Sequence, residues 1–271
     1  MSGLLPDLAT REERQRLTEN RERLFTSDLS VSEFALLYEL GYTPLGLVMG
    51  TCVYQVGYQG AAWTESVELS GVTQAMYTAR HLAMSRMVAE ASFLSADGIV
   101  GMRLELGGKH LGLANNMLEF IAVGTAVRLP PGEQHPETEP FTSDLNGQDL
   151  YKLHRIGFRP VSLVMGNCVY HVAAQAVSQY AAPSQLRENG ENKVYTQAIY
   201  HARELAMDRM QAEALKGGAT GIVGVQVSEH ARGWDKQVFE FMAIGTSIRK
   251  AGAAGTATVP AATQMVLNLS D

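Results

Sequence analysis

The chain repeats itself, and that repeat limits what it can fold into more than any other feature. FTSDL at Phe25–Leu29 recurs at Phe141–Leu145, 116 positions further on. LVMG at Leu47–Gly50 recurs at Leu163–Gly166 with the same spacing, and CVY follows each, at Cys52–Tyr54 and Cys168–Tyr170. The spacing then grows to 123, because the second copy carries seven extra residues around Pro183–Asn192. Between Gln74–Ala91 and Gln197–Ala214, 13 of 18 positions are identical, and EF-x-A-x-GT closes both copies at Glu119–Thr125 and Glu240–Thr246. Self-similarity at one long period marks a duplicated structural unit. The 271 residues are therefore expected to form two modest domains, not one large one.

The repeat divides the chain into five parts. Residues 1–24 are a charged N-terminal segment, in which Arg11–Leu24 is helix-like but has almost no apolar face. The first module spans 25–129 and the second 141–250. Between them 130–140 is rich in Pro and Glu, which predicts an extended, solvated spacer. The last part, 251–271, begins with the Ala/Gly/Thr/Pro tract Ala251–Ala262 and is expected to be a flexible tail. Its end, Thr263–Asp271, carries Met265, Val266, Leu267 and Leu269, a short apolar patch that suits docking to a protein partner.

Each module reads as α+β, with the core order β-α-β-β behind a short helix. Ser30-x-x-Glu33 is a capping box, with Phe34, Leu37 and Tyr38 at helical spacing before Gly41. The second copy repeats the pattern with Asn146 as cap, Leu150, Leu153 and His154 inside, and Gly157 at the end. A strand over Leu45–Val56, a long Ala/Met-rich helix over Val72–Leu94, and strands over Ile99–Leu106 and Met117–Arg128 follow.

Side chains alternate faces along a strand. On the first strand Leu47, Met49 and Val53 lie on one face and Val48, Cys52 and Val56 on the other, so both faces are largely apolar. One helix covers one face, and a sheet with its second face in water would alternate apolar with polar residues. The second face therefore needs a cover, either the other module or another chain. Leu47, Met49, Val53, Leu163, Met165 and Val169, with the strand acids Glu119 and Glu240, are the expected interface residues of a homo-oligomer.

Composition narrows the function. A formal charge of -6 and a pI near 5.7 argue against a nucleic-acid surface. No apolar run reaches the roughly 20 residues of a membrane span, and the stretch from Met1 to Leu24 does not resemble a signal peptide. Two cysteines, Cys52 and Cys168, give no disulfide framework, so a cytoplasmic protein is expected.

The second copy's Y-x4-Y-x-AR-x-LAM-x-RM-x-AEA (Tyr195–Ala214), GATGIVG (Gly218–Gly224) and EF-x-A-x-GTSIR (Glu240–Arg249) resemble the YbjQ-like family. The first copy carries the same signature at Tyr77–Ala91, Ala96–Gly101 and Glu119–Arg128. The resemblance implies dodecin-like β-α-β-β units that assemble into rings, usually five-fold, and it brings the label "putative heavy-metal-binding". Family members are usually single modules, whereas this chain is a fused pair.

Cys52 and Cys168 are the candidate metal ligands, and both sit mid-strand like small hydrophobes. Cys168 and His171 are three apart, which points them to opposite faces of a strand, and no Cys-x-x-Cys is present. His81, His154 and His201 lie on helices without a partner four residues on, and His110 and His230 are expected in loops. Arg80/Arg203, Arg86/Arg209 and Glu90/Glu213 recur at matching helix positions. Glu119 and Glu240 lie in apolar strands, where a charge needs a partner across strands or chains. Gly98/Gly101 and Gly221/Gly224 lack the full dinucleotide fingerprint and are expected to permit close helix-to-sheet approach. No catalytic set and no cofactor site emerges. The expected function is a non-enzymatic, ring-forming homo-oligomeric scaffold or binding protein. A metal-binding or metal-sensing protein is one alternative; another is a small-molecule or cofactor-binding ring using Tyr54, Tyr58, Trp63 and Trp234 for stacking.

Overall fold

The computed structural model describes residues 25–57, 66–107, 117–133, 139–173, 191–231 and 238–251. Arg11–Leu24, Tyr58, Trp63, His110, most of the Pro183–Asn192 insertion, Trp234 and the tail patch at Met265, Val266, Leu267 and Leu269 lie outside the described residues. The described part holds four helices and eight strands in two sheets.

The first module opens with α1 (Val31–Glu39), whose capping box forms as expected: Glu33 N–H donates to Ser30 Oγ and Ser30 N–H to the Glu33 carboxylate. β1 (Thr43–Gln55) and the two-residue β2 (Val67–Glu68) precede α2 (Ser70–Phe93), then β3 (Gly98–Gly107) and β4 (Met117–Arg128). The second module begins with β5 (Phe141–Thr142) and α3 (Gly147–Arg155), capped by Asn146. β6 (Phe158–His171), α4 (Lys193–Lys216), β7 (Gly221–Ala231) and β8 (Val238–Lys250) complete it. His230 falls in β7 rather than in a loop.

In each module the last strand sits between the other two and runs antiparallel to both, giving β1-β4-β3 and β6-β8-β7. The long helix lies across one face. Small residues set its distance: a Cβ on Gly50 would stand 2.0 Å from Ala83 O, and one on Gly166 would stand 1.8 Å from Ala206 O. The helix backbone thus rests directly on β1 in the first module and on β6 in the second. This corrects the role expected of Gly101 and Gly224. Each takes a positive φ, 59° and 67°, within the irregular pairing between Val100 and Arg103 or between Val223 and Gln226. They serve β-bulges, for which the left-handed region suits glycine.

The two sheets also exchange edge strands. β2, from the first module, pairs antiparallel with β6, while β5, from the second, pairs parallel with β3. α2 follows β2 directly, so it touches both sheets: Met76, Met87 and Ala91 share one buried core with Val48 and Phe120 of the first sheet and Leu163 and Val169 of the second. α2 is apolar on several sides because it is the filling between two sheets. A second shared core joins Leu37, Tyr42 and Val127 to Phe141, Leu150 and Ile248.

Candidate assembly interface

The seam between the modules is built around the outer edge of β6. Alternate N–H and C=O groups on an edge strand point away from the sheet and need partners. Here helix side chains supply them. Met165 N–H donates to Glu213 Oε2 at 3.4 Å, Asn167 N–H to Tyr77 Oη at 2.8 Å, and Val169 N–H to Thr73 Oγ1 at 3.1 Å. Leu69 N–H donates to Val169 O at 2.8 Å. The edge is closed from Leu163, whose N–H donates to Thr142 Oγ1, to His171, which pairs with β2.

Two ion pairs lock it. Arg80, on α2, meets Glu213, on α4, in a bidentate pair at 2.9 and 2.5 Å, and its guanidinium also reaches Leu163 O. Arg209, on α4, meets Glu68, on β2, at 2.7 and 2.8 Å and donates to Asn167 O. Each pair joins residues from different copies of the repeat. Burial works against ionisation of Glu68, but the hydrogen bonds from Arg209 and Thr73, together with the charge of Arg209, outweigh it and hold the carboxyl below its usual range. Such planar, doubly bonded pairs fix geometry as well as charge.

The expected interface residues separate into two groups. Leu163, Met165 and Val169 are closed inside the chain, at 1%, 0% and 0% exposure, and Leu163 and Val169 share the core of the first module's helix. Leu47, Met49 and Val53, their equivalents on β1, remain 39%, 51% and 49% exposed. Glu240 is buried and accepts a hydrogen bond across the strands from Asn167 Nδ2 at 2.6 Å. Glu119 is half-buried at the matching place on β4.

Cys52 and Cys168 are both buried and lie in different cores. Burial pushes the Cys168 thiol up to about 12, with the nearby Glu68 adding to the shift. Burial also raises Cys52, against an opposing pull from Arg86. Metals take the thiolate, and these thiols are held in the protonated form. Among the described residues no group of three His, Cys, Asp or Glu side chains is placed to hold an ion. Nor, among them, is any helix long and apolar enough to cross a membrane.

The family model described as "Putative heavy-metal-binding" matches residues 44–130 and again 159–251. The chain belongs to the YbjQ-like family, as a tandem duplication of its module. An encapsulin nanocompartment protein of Mycobacterium tuberculosis is 48% identical over 240 residues, 88% of this chain and 90% of its own. A UPF0145 protein of Halorubrum lacusprofundi is 40% identical over 90 residues, 31% of this chain and 83% of its own. Another, of Helicobacter hepaticus, is 33% identical over 103 residues, 34% of this chain and 96% of its own. The two shorter relatives match one module's worth of sequence, while the mycobacterial protein spans both.

The seam residues were half visible in the sequence. Arg80, Arg209 and Glu213 stood out as recurring charges, yet the cross-copy partner was sought at the strand acids. Glu68 was missed. Its equivalent, 123 positions on, is Glu191, and that match was the available signal.

Proposed function

We propose that the protein is a non-enzymatic, self-assembling scaffold whose copies associate in the cytoplasm, and that it works as part of a nanocompartment, as its mycobacterial relative is named for. The observation that carries this is the open apolar strip Leu47, Met49 and Val53, on a strand whose twin in the same chain is fully covered. Contiguous apolar residues on a sheet edge invite association. The two free, buried cysteines suit a reducing compartment. The metal-binding alternative draws on the family description, but its two cysteines sit apart in separate cores.

Light scattering on the purified chain tests the reading. The expected mass is a multiple of 29.4 kDa at micromolar concentration. A mass of one chain across that range would refute self-assembly.

A further inference from the structure

The chain carries one finished seam and, at its two ends, the two unmatched halves of another. On the acceptor half, β1 repeats the β6 edge in detail. Met49 N–H donates to Glu90 at 2.8 Å, as Met165 N–H does to Glu213. Arg86 donates to Thr51 O, as Arg209 does to Asn167 O. Among the described residues no strand lies beside the outer edge of β1. On the donor half, α4 carries at the same spacing the polar side chains with which α2 grips β6. Thr196, Tyr200 and Arg203 stand where Thr73, Tyr77 and Arg80 stand, each 123 positions on, and Glu191 stands where Glu68 does. Arg80 is buried, whereas Arg203, Glu191 and Tyr200 are exposed, Tyr200 at 56%.

The FTSDL segments show the same contrast. In the second copy, Ser143 and Asp144 bond to Thr246, while Phe141 and Thr142 reach across to pair with Gly98 and Ile99 of the other module. In the first copy, Ser27 and Asp28 bond to Thr125 in the same way, but Phe25 and Thr26 are exposed. A Cβ on Gly98 would collide with the Phe141 ring at 2.1 Å. At Gly221, the equivalent glycine, a Cβ would meet nothing closer than Ile248 at 3.7 Å, so the slot for a phenylalanine ring is open. Among the described residues β7 pairs with β8 alone, and no strand lies along its outer edge.

We infer that copies of this chain join head to tail through a second seam that repeats the internal one, α4 and Glu191 of one copy closing the β1 edge of the next. Arg203 meets Glu90 of the next copy, Glu191 meets its Arg86, and Tyr200 and Thr196 bond the outward N–H groups of its Thr51 and Val53. In return Phe25 and Thr26 of the next copy add a short parallel strand to β7. Leu47, Met49 and Val53 are then covered as Leu163, Met165 and Val169 already are. Donor and acceptor surfaces differ, so the contact is heterologous and gives a closed ring or an open chain. Every charge has an opposite facing it, and both free ends are consumed by the same contact.

The inference rests on the self-assembly reading, and a charge swap separates the two. Glu90→Arg and Arg203→Glu are made singly and together, and each is measured by light scattering beside the wild type. The expected result is a lower mass for each single variant, with the dissociation concentration raised at least tenfold. The double variant, and an equimolar mixture of the two singles, should recover the larger mass. Tyr200→Arg, on an exposed helix face, should also lower the mass while keeping the wild-type circular dichroism, and it carries the test if a change at Glu90 disturbs folding. An assembled wild type whose mass none of these variants changes overturns this seam and leaves the scaffold reading standing. A wild type of single-chain mass overturns both.

Discussion

The two sheets are near copies in sequence and differ in what happens to one face. Met165 is fully buried, while Met49, at the same place on β1, is half exposed. Both strands have apolar residues on both faces, so the difference lies in the neighbour and not in the strand. β2 and α2 of the first module reach over the second sheet, while among the described residues no strand lies beside the outer edge of β1. Burial in such a protein is set by position along an array, as in other repeat folds where a unit contacts mainly its neighbours.

The sharpest way to break the comparison is to put a charge on each face. Met165→Arg should abolish the folded protein, since an unpaired charge in a closed core costs at least several kcal/mol. Met49→Arg should keep the wild-type circular dichroism and a cooperative melt while lowering the assembled mass. Equal loss of fold in both variants would show that the two faces are alike after all.

Gly50→Ala and Gly166→Ala probe what the sheets share. Both side chains would run into a helix carbonyl, so each should lower the unfolding free energy by about 1–3 kcal/mol or more. Urea titration should find the two effects within a factor of two.

The arginines sharpen the contrast again. Arg80→Ala should cost about 1–3 kcal/mol in urea through its charge-assisted hydrogen bonds, toward the low end because Glu213 is one third exposed and screened. Arg203→Ala should change the stability of the dissociated chain by less than about 0.5 kcal/mol.

A separate effect is expected in alkali. An unfolded thiol ionises near 9, whereas the folded Cys168 holds its proton to about 12. As the pH rises above 9, the unfolded state releases a proton that the folded state keeps, so stability falls, by at most about 1.4 kcal/mol per pH unit for one group. Cys168→Ala should show a shallower fall between pH 9 and 10.5 than the wild type. An unchanged slope would mean that Cys168 is less enclosed than its place behind α4 implies.

Much of the fold could be read in the residues. The repeat placed both modules, Ser30 and Glu33 marked the start of α1, and the double apolar pattern of β1 and β6 called for a cover on both faces. The edge exchange could not be read, because β2 and β5 are two residues long and show no periodicity, and their pairing is set by distant strands. FTSDL was plain as a repeat, but its backbone partner on β3 was not. The bulges at Gly101 and Gly224 escaped because a positive φ leaves no spacing to detect. At the seam, Arg80 and Glu213 were visible as recurring charges but could not be matched, since pairing across copies depends on how the modules stack.

The exchange of edge strands bears on how the chain is made. During synthesis domains ordinarily fold in turn from the N-terminus. Here the β3 edge of the first sheet is completed by Phe141 and Thr142, and the β6 edge of the second by Val67 and Glu68. The first module therefore leaves the ribosome with one sheet edge still open and closes it only when the start of the second has emerged. β2 and α2 are by then in place to receive β6 as it follows. The two halves mature together, and a chain halted between them would present an unpaired strand.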